Sequence, residues 1–122
     1  MLEDFAVINE RGLVGKVLSS SGNNSRILLI NDQNSSVPVT TMSKNIKAVV
    51  NGTIDGKYLT SAFVKGEKIP KIGDVLLTSG NAGIFPSDIL VGKVIKISED
   101  SFFALPYVDF NNLEFVQVIN IK

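Results

Sequence analysis

Leu13-Val14-Gly15-Lys16-Val17 returns letter for letter as Leu90-Val91-Gly92-Lys93-Val94. Each copy reads as a β-strand rich in aliphatic and β-branched residues, and each carries a glycine in mid-strand. Glycine there weakens a strand by entropy and packs nothing. It marks a bulge, a bend or the close approach of another backbone. One bent strand type used twice predicts a closed or strongly curled β structure.

The second copy follows a denser stretch, Gly73-Asp74-Val75-Leu76-Leu77-Thr78-Ser79-Gly80 and then Gly83-Ile84-Phe85-Pro86. Short apolar runs continue in both directions, among them Phe5 to Ile8, Arg26 to Ile30, Val37 to Thr41, Ile46 to Val50, Tyr58 to Val64, Phe102 to Leu105 and Phe115 to Ile121. Turn-forming clusters separate them: Ser21-Gly22-Asn23-Asn24, Asn31-Asp32-Gln33-Asn34, Asn51-Gly52, Asp55-Gly56 and Ser98-Glu99-Asp100-Ser101. Regularly spaced short strands with such turns predict an all-β barrel or sandwich. No segment holds a 3.6-residue period. The single candidate helical turn is Phe110 to Leu113, with Asp109 as its N-cap. The expected architecture is two small, closely packed β-barrel-like lobes, each with one LVGKV strand. Residues 1–52 form a partial first lobe and 53–106 a second. Residues 107–122 supply a C-terminal strand that returns to the first.

Composition narrows the function. The chain has 122 residues, 44% of them hydrophobic, enough for a core. Lys and Arg number 12, and so do Asp and Glu. A neutral chain lacks the electrostatic footprint of a nucleic-acid binder or of a basic membrane-binding face. There is no histidine and no cysteine. That removes Ser-His-Asp and Cys-His nucleophile systems, disulfides and His- or Cys-bearing zinc sites. No apolar run approaches the ~20 residues of a membrane helix. Met1-Leu2-Glu3-Asp4-Phe5 lacks the basic-then-apolar pattern of a signal peptide, so any anchor is expected outside this chain.

The remaining motifs have plain structural readings. Gly12, Gly15, Gly80, Gly83 and Gly92 fit neither phosphate-cradle spacing, and no helix follows them. They are read as turn and bulge glycines. Thr78-Ser79-Gly80 offers a serine, with Lys93 or Lys71 as a conceivable base. Serines after strands ordinarily satisfy local backbone groups. Asp32, Asp74, Asp88, Glu99 and Asp100 are scattered over turns and match no calcium-loop spacing. Phe102, Phe103, Tyr107 and Phe110 form the one aromatic cluster. Adjacent phenylalanines on a strand face opposite ways, so either the strand is covered on two sides and both are core, the ordinary reading, or one of them faces a partner. These four are the candidate interaction surface. No catalytic residue, cofactor or metal ligand is expected.

Taken in order, the segments resemble the extracytoplasmic β domain of the MreC family of bacterial rod shape-determining proteins. The resemblance rests on Ala6-Val7-Ile8, Gly12 to Val17, Asn24 to Asp32, Ser36-Val37-Pro38-Val39, Lys71 to Val75, Thr78-Ser79-Gly80, Gly83 to Pro86 and Val91 to Val94. Lys16 and Lys93 stand where that family often has arginine, and Asn81-Ala82 replaces a more glycine-rich stretch. The resemblance implies two small β barrels outside the cytoplasmic membrane, facing the periplasm in a Gram-negative cell. It implies a non-enzymatic scaffold of lateral cell-wall elongation that controls rod shape. The implied partners are a second copy, the elongation transpeptidase of the penicillin-binding class, MreD and the actin-like MreB. It also implies a membrane helix, a coiled coil and an opening strand pair that this chain does not show. A first lobe without those strands would leave an unpaired edge near Phe5 to Ile8 or its neighbours. Two other classes stay open. A small-ligand-binding barrel would show a deep apolar pocket with converging polar groups. A Ser/Lys hydrolase would show Ser79 within reach of a lysine.

Overall fold

The computed structural model describes residues 5–22, 24–63, 67–80, 85–113 and 117–120. Its strands run in chain order as β1 (Phe5–Asn9), β2 (Gly12–Ser21), β3 (Asn24–Leu29), β4 (Ser36–Thr41) and β5 (Lys47–Gly52). They continue with β6 (Leu59–Ala62), β7 (Val75–Thr78), β8 (Leu90–Ile97), β9 (Ser101–Pro106) and β10 (Gln117–Asn120). The described residues are all-β, with no helix. Asp109 to Asn112 form a turn in place of the helical turn expected over Phe110 to Leu113. The Asp109 side chain accepts from the Asn111 amide at 3.0 Å, and its backbone carbonyl accepts from the Asn112 amide at 3.2 Å. That local cap holds the chain in a turn rather than starting a helix.

Six strands close into a barrel in the order β4-β5-β6-β9-β8-β7, and β7 pairs back onto β4 through Val39–Thr78 and Thr41–Leu76. Alternation decides what fills it. On β9 Phe102 and Ala104 are buried while Phe103 and Leu105 are not, as period two requires. Val37, Val39, Val50, Leu59, Leu76, Val91, Val94, Phe102 and Ala104 pack the interior. A barrel this small is filled by its own side chains.

The other four strands form a sheet in the order β10-β1-β2-β3, all antiparallel. The sheet is covered on two sides. Ala6, Leu13 and Ile30 join the same apolar cluster as the barrel interior. Val7, Val14 and Val17 pack with Val108 and with Phe5, Leu29, Phe110 and Leu113. Two expectations are corrected here. The division at residue 52 is displaced, because β4 and β5 are barrel strands. Turn signals at Asn51-Gly52 mark a hairpin inside the barrel, not its border. Phe5 to Ile8 itself is not an edge, since β1 lies between β10 and β2, and the outer position falls to its neighbour β10. The outer strands of this sheet are β3 and β10. The C-terminal strand pairs with β1 from Phe5–Asn120 to Ile8–Gln117.

The repeated quintet is a repeat of geometry as well as of letters. On β2, Gly15 faces Val7 but Leu13 faces Ile8, so Val14 is an extra residue. On β8, Gly92 faces Leu76 but Leu90 faces Leu77, so Val91 is the extra residue. The other edge repeats this one turn of the pleat later, with Leu18 extra against β3 and Ile95 extra against β9. The bulge carbonyls are used alike. Ile30 donates its amide to Val14 O at 2.9 Å, and Tyr107 donates its amide to Val91 O at 3.2 Å. Two bulges per strand bend it and raise its twist, which a small closed sheet needs.

Candidate interaction surface

Close backbone approach sets the positions of the sheet and barrel. A β-carbon on Gly15 would lie 2.2 Å from Leu28 O, and one on Gly92 would lie 2.8 Å from Leu105 O. Both are inside any contact a real side chain makes. Gly12 abuts the barrel itself, 2.3 Å from Leu90 O by the same measure. Gly80 follows β7 with φ +74°, a left-handed turn position that glycine adopts without strain. Gly83 lies outside the described residues.

The tightest approach is one the sequence reading did not single out. A β-carbon on Gly52 would sit 2.0 Å from the carbonyl carbon and oxygen of Asn31. The Gly52 amide donates to Asp32 O at 3.1 Å, and the Asn31 side-chain amide donates to Gly56 O at 2.9 Å. The link from sheet to barrel is thus clamped onto the β5–β6 turn. Both segments look like ordinary turns in sequence. Nothing local marks them as touching.

The aromatic cluster is dispersed. Phe102 is 1% exposed inside the barrel, so it is withdrawn from the contact surface. Phe103 stands on the outer wall, where Lys96 Nζ lies 5.7 Å from its ring centre. That distance is within the range of a cation–π contact. Tyr107 and Phe110 line a cleft of about 720 Å³ between sheet and barrel, with Leu29 and Pro106. Arg11, Lys57, Asp55 and Asp109 stand around it. The Asp109 carboxyl is held below its ordinary range, first by the Asn112 side chain, then by the Asn111 amide, with a smaller pull from Arg11. Asp55 is lowered by the Thr53 hydroxyl at 2.6 Å and then by the Lys57 amide at 3.0 Å. Both carboxylates are committed to their own turns.

The two lysines read as conceivable bases for Ser79 lie along β7 from it. Lys93 pairs with Val75, at the far end of β7 from Ser79, and Lys71 precedes that same end. The length of β7, about 13 Å at strand rise, separates Ser79 from either lysine's backbone. Thr78 beside it is fully buried and structural. Its hydroxyl donates to Pro86 O at 2.6 Å and accepts from the Ile89 amide at 2.9 Å.

The barrel is filled by its own side chains, is clamped to a four-stranded sheet and carries Ile95 and Leu105 exposed on its outer wall. Residues 2–120 match the family model described as rod shape-determining protein MreC, barrel core, and the chain belongs to that family. It is 33% identical to the cell shape-determining protein MreC of Bacillus subtilis over 135 aligned positions, covering 97% of this chain and 47% of that protein. This chain therefore spans under half of that relative. A solved MreC structure from Listeria monocytogenes superposes with TM-score 0.85 at 26% identity, covering 98% of this chain and 62% of that one. The fold is shared with a Helicobacter pylori MreC solved in complex with the penicillin-binding protein PBP2, at TM-score 0.79 and 19% identity, covering 97% and 78%. It is shared too with the solved major periplasmic domain of the cell shape-determining filament MreC, at TM-score 0.80 and 18% identity, covering 97% and 78%.

Proposed function

We propose that this chain is a non-enzymatic scaffold domain of lateral cell-wall elongation, acting on the extracytoplasmic side of the bacterial membrane. It binds the elongation transpeptidase of the penicillin-binding class and associates with itself. The observation that carries this reading is the family match over nearly the whole chain. A relative of the same fold was solved with a penicillin-binding protein, and another is described as a periplasmic domain and a filament. Membership also supports a place beside MreD and MreB for the whole protein. The surfaces offered are Phe103 on the barrel wall and Tyr107 and Phe110 in the cleft.

Self-association is supported by the sheet. Its outer strands β3 and β10 carry Ile27 and Val118, each 40% exposed. Outer strands present backbone groups that a second copy can pair with, and zero net charge offers little repulsion. The test is titration of the chain with the extracytoplasmic part of the transpeptidase from the same genome, with sedimentation velocity over a concentration series at low and high salt. Saturable binding and a salt-resistant dimer are expected. Absence of binding overturns the transpeptidase role, and a monomer at every concentration overturns self-association.

A further inference from the structure

We infer that the outer wall formed by β6, β9 and β8 is the docking face for the transpeptidase, and that it reads an apolar side chain flanked by carboxylates. This rests on the transpeptidase reading above and adds the face and the chemistry of its partner.

The outward positions follow from the pleat. Thr60 on β6, Phe103 and Leu105 on β9, and Lys93 and Lys96 on β8 point away from the filled interior. Register brings them side by side: Thr60 faces Phe103, Phe103 faces Lys96, and Leu105 faces Lys93. The bulge pushes Ile95 out beside them at 39% exposure, and Leu105 is 49% exposed. Tyr58, just before β6, is 37% exposed.

Tyr58, Ile95, Lys96 and Phe103 enclose a dent of about 230 Å³. That is below the usual size of a small-molecule pocket and suits one inserted side chain. Anchors of this kind dominate protein interfaces when a ring of neighbours excludes water.

The charge on this wall has one sign. Lys93 and Lys96 are the charged residues of β6, β8 and β9, and no Asp or Glu lies on these strands. Asp55, Glu99 and Asp100 sit in the turns at the two ends, and Asp74, just before β7, accepts the Val94 amide on its carbonyl and the Lys71 amide on its carboxylate. In a chain of zero net charge this local excess is a selective feature. An approaching carboxylate meets two ammonium groups and no acid carried by these three strands. Lys96 is also already held over the Phe103 ring, so its head lies at the rim of the dent. Complementary rim charge steers encounter and fixes register.

The experiment measures affinity of the transpeptidase's extracytoplasmic part for the intact chain and four variants. Leu105→Asp and Ile95→Asp place a charge in the apolar part, Lys93→Glu/Lys96→Glu reverses the rim, and Met42→Ser changes an exposed turn residue after β4, a strand outside this wall. Circular dichroism melts confirm that each is folded. The three wall variants are expected to weaken binding at least tenfold, with Met42→Ser unchanged and wild-type affinity falling as salt rises. If the wild type binds and the wall variants bind equally well, the face is wrong and the transpeptidase reading survives. If reversal of the two lysines tightens binding, the carboxylate chemistry is wrong. If the wild type does not bind, both readings fall together.

Discussion

Gly15 on β2 and Gly92 on β8 stand in one and the same relation to their surroundings: each lies directly under a carbonyl oxygen of the next strand, Leu28 O for the first and Leu105 O for the second. Each also sits beside a bulged valine whose carbonyl takes an amide from beyond the strand end. Any side chain there must push a paired strand away.

Gly15→Val and Gly92→Val should therefore each lower stability by about 2 kcal/mol or more, the range of overpacking with backbone displacement. Gly15→Val should be the worse, because its clearance is 2.2 Å against 2.8 Å. Urea melts check this. Equal midpoints for wild type and either variant would show that the strands part without cost.

Gly52→Ala should be more damaging than either, because even one methyl meets Asn31 backbone at 2.0 Å and backbone cannot swing aside. Asn31→Ala removes only the bond to Gly56 O and should cost about 1 kcal/mol. Melts of the two side by side separate close approach from hydrogen bonding.

Thr78→Val keeps shape but leaves the Pro86 carbonyl and Ile89 amide without the hydroxyl between them. Buried groups left unsatisfied cost roughly 1–3 kcal/mol. Hydrogen exchange at the Ile89 amide should speed up in the variant, and the denaturation midpoint should fall.

Asp109 supplies a pH signature. Its folded carboxyl is held below the ordinary value of 3.8 by Asn112 and Asn111, so the unfolded chain takes up this proton first. The turn's contribution is complete above that value and is lost as pH falls through the lowered folded one. Carboxyl carbon shifts followed by NMR titration should show this. Asn112→Ala should move the Asp109 midpoint upward toward 3.8.

What the letters disclosed was local. The mid-strand glycines announced bends, and both quintets bend at equivalent residues. Phe102-Phe103 announced rings on opposite faces of one strand, but not whether both or only one of those faces is covered. Closure of the barrel through β7 on β4 decides that, and it depends on pairings far apart in sequence. The same reason displaced the boundary from 52: Asn51-Gly52 looks like the end of a unit, yet β5 goes on to pair with β6. The lysine excess on the outer wall was present in the letters and became visible only when the register set Lys96 beside Phe103.

The clamp of Asn31 and Asp32 on Gly52 and Gly56 has a mechanical consequence. Gly12 against Leu90 makes a second fixed point between sheet and barrel, and the shared apolar cluster fills the space between. Two separated fixed points resist rotation where one would act as a pivot. A tilt imposed on the sheet therefore meets resistance from the barrel at both points. Molecules gripping opposite ends of this body would sense each other's orientation as through a rigid lever arm.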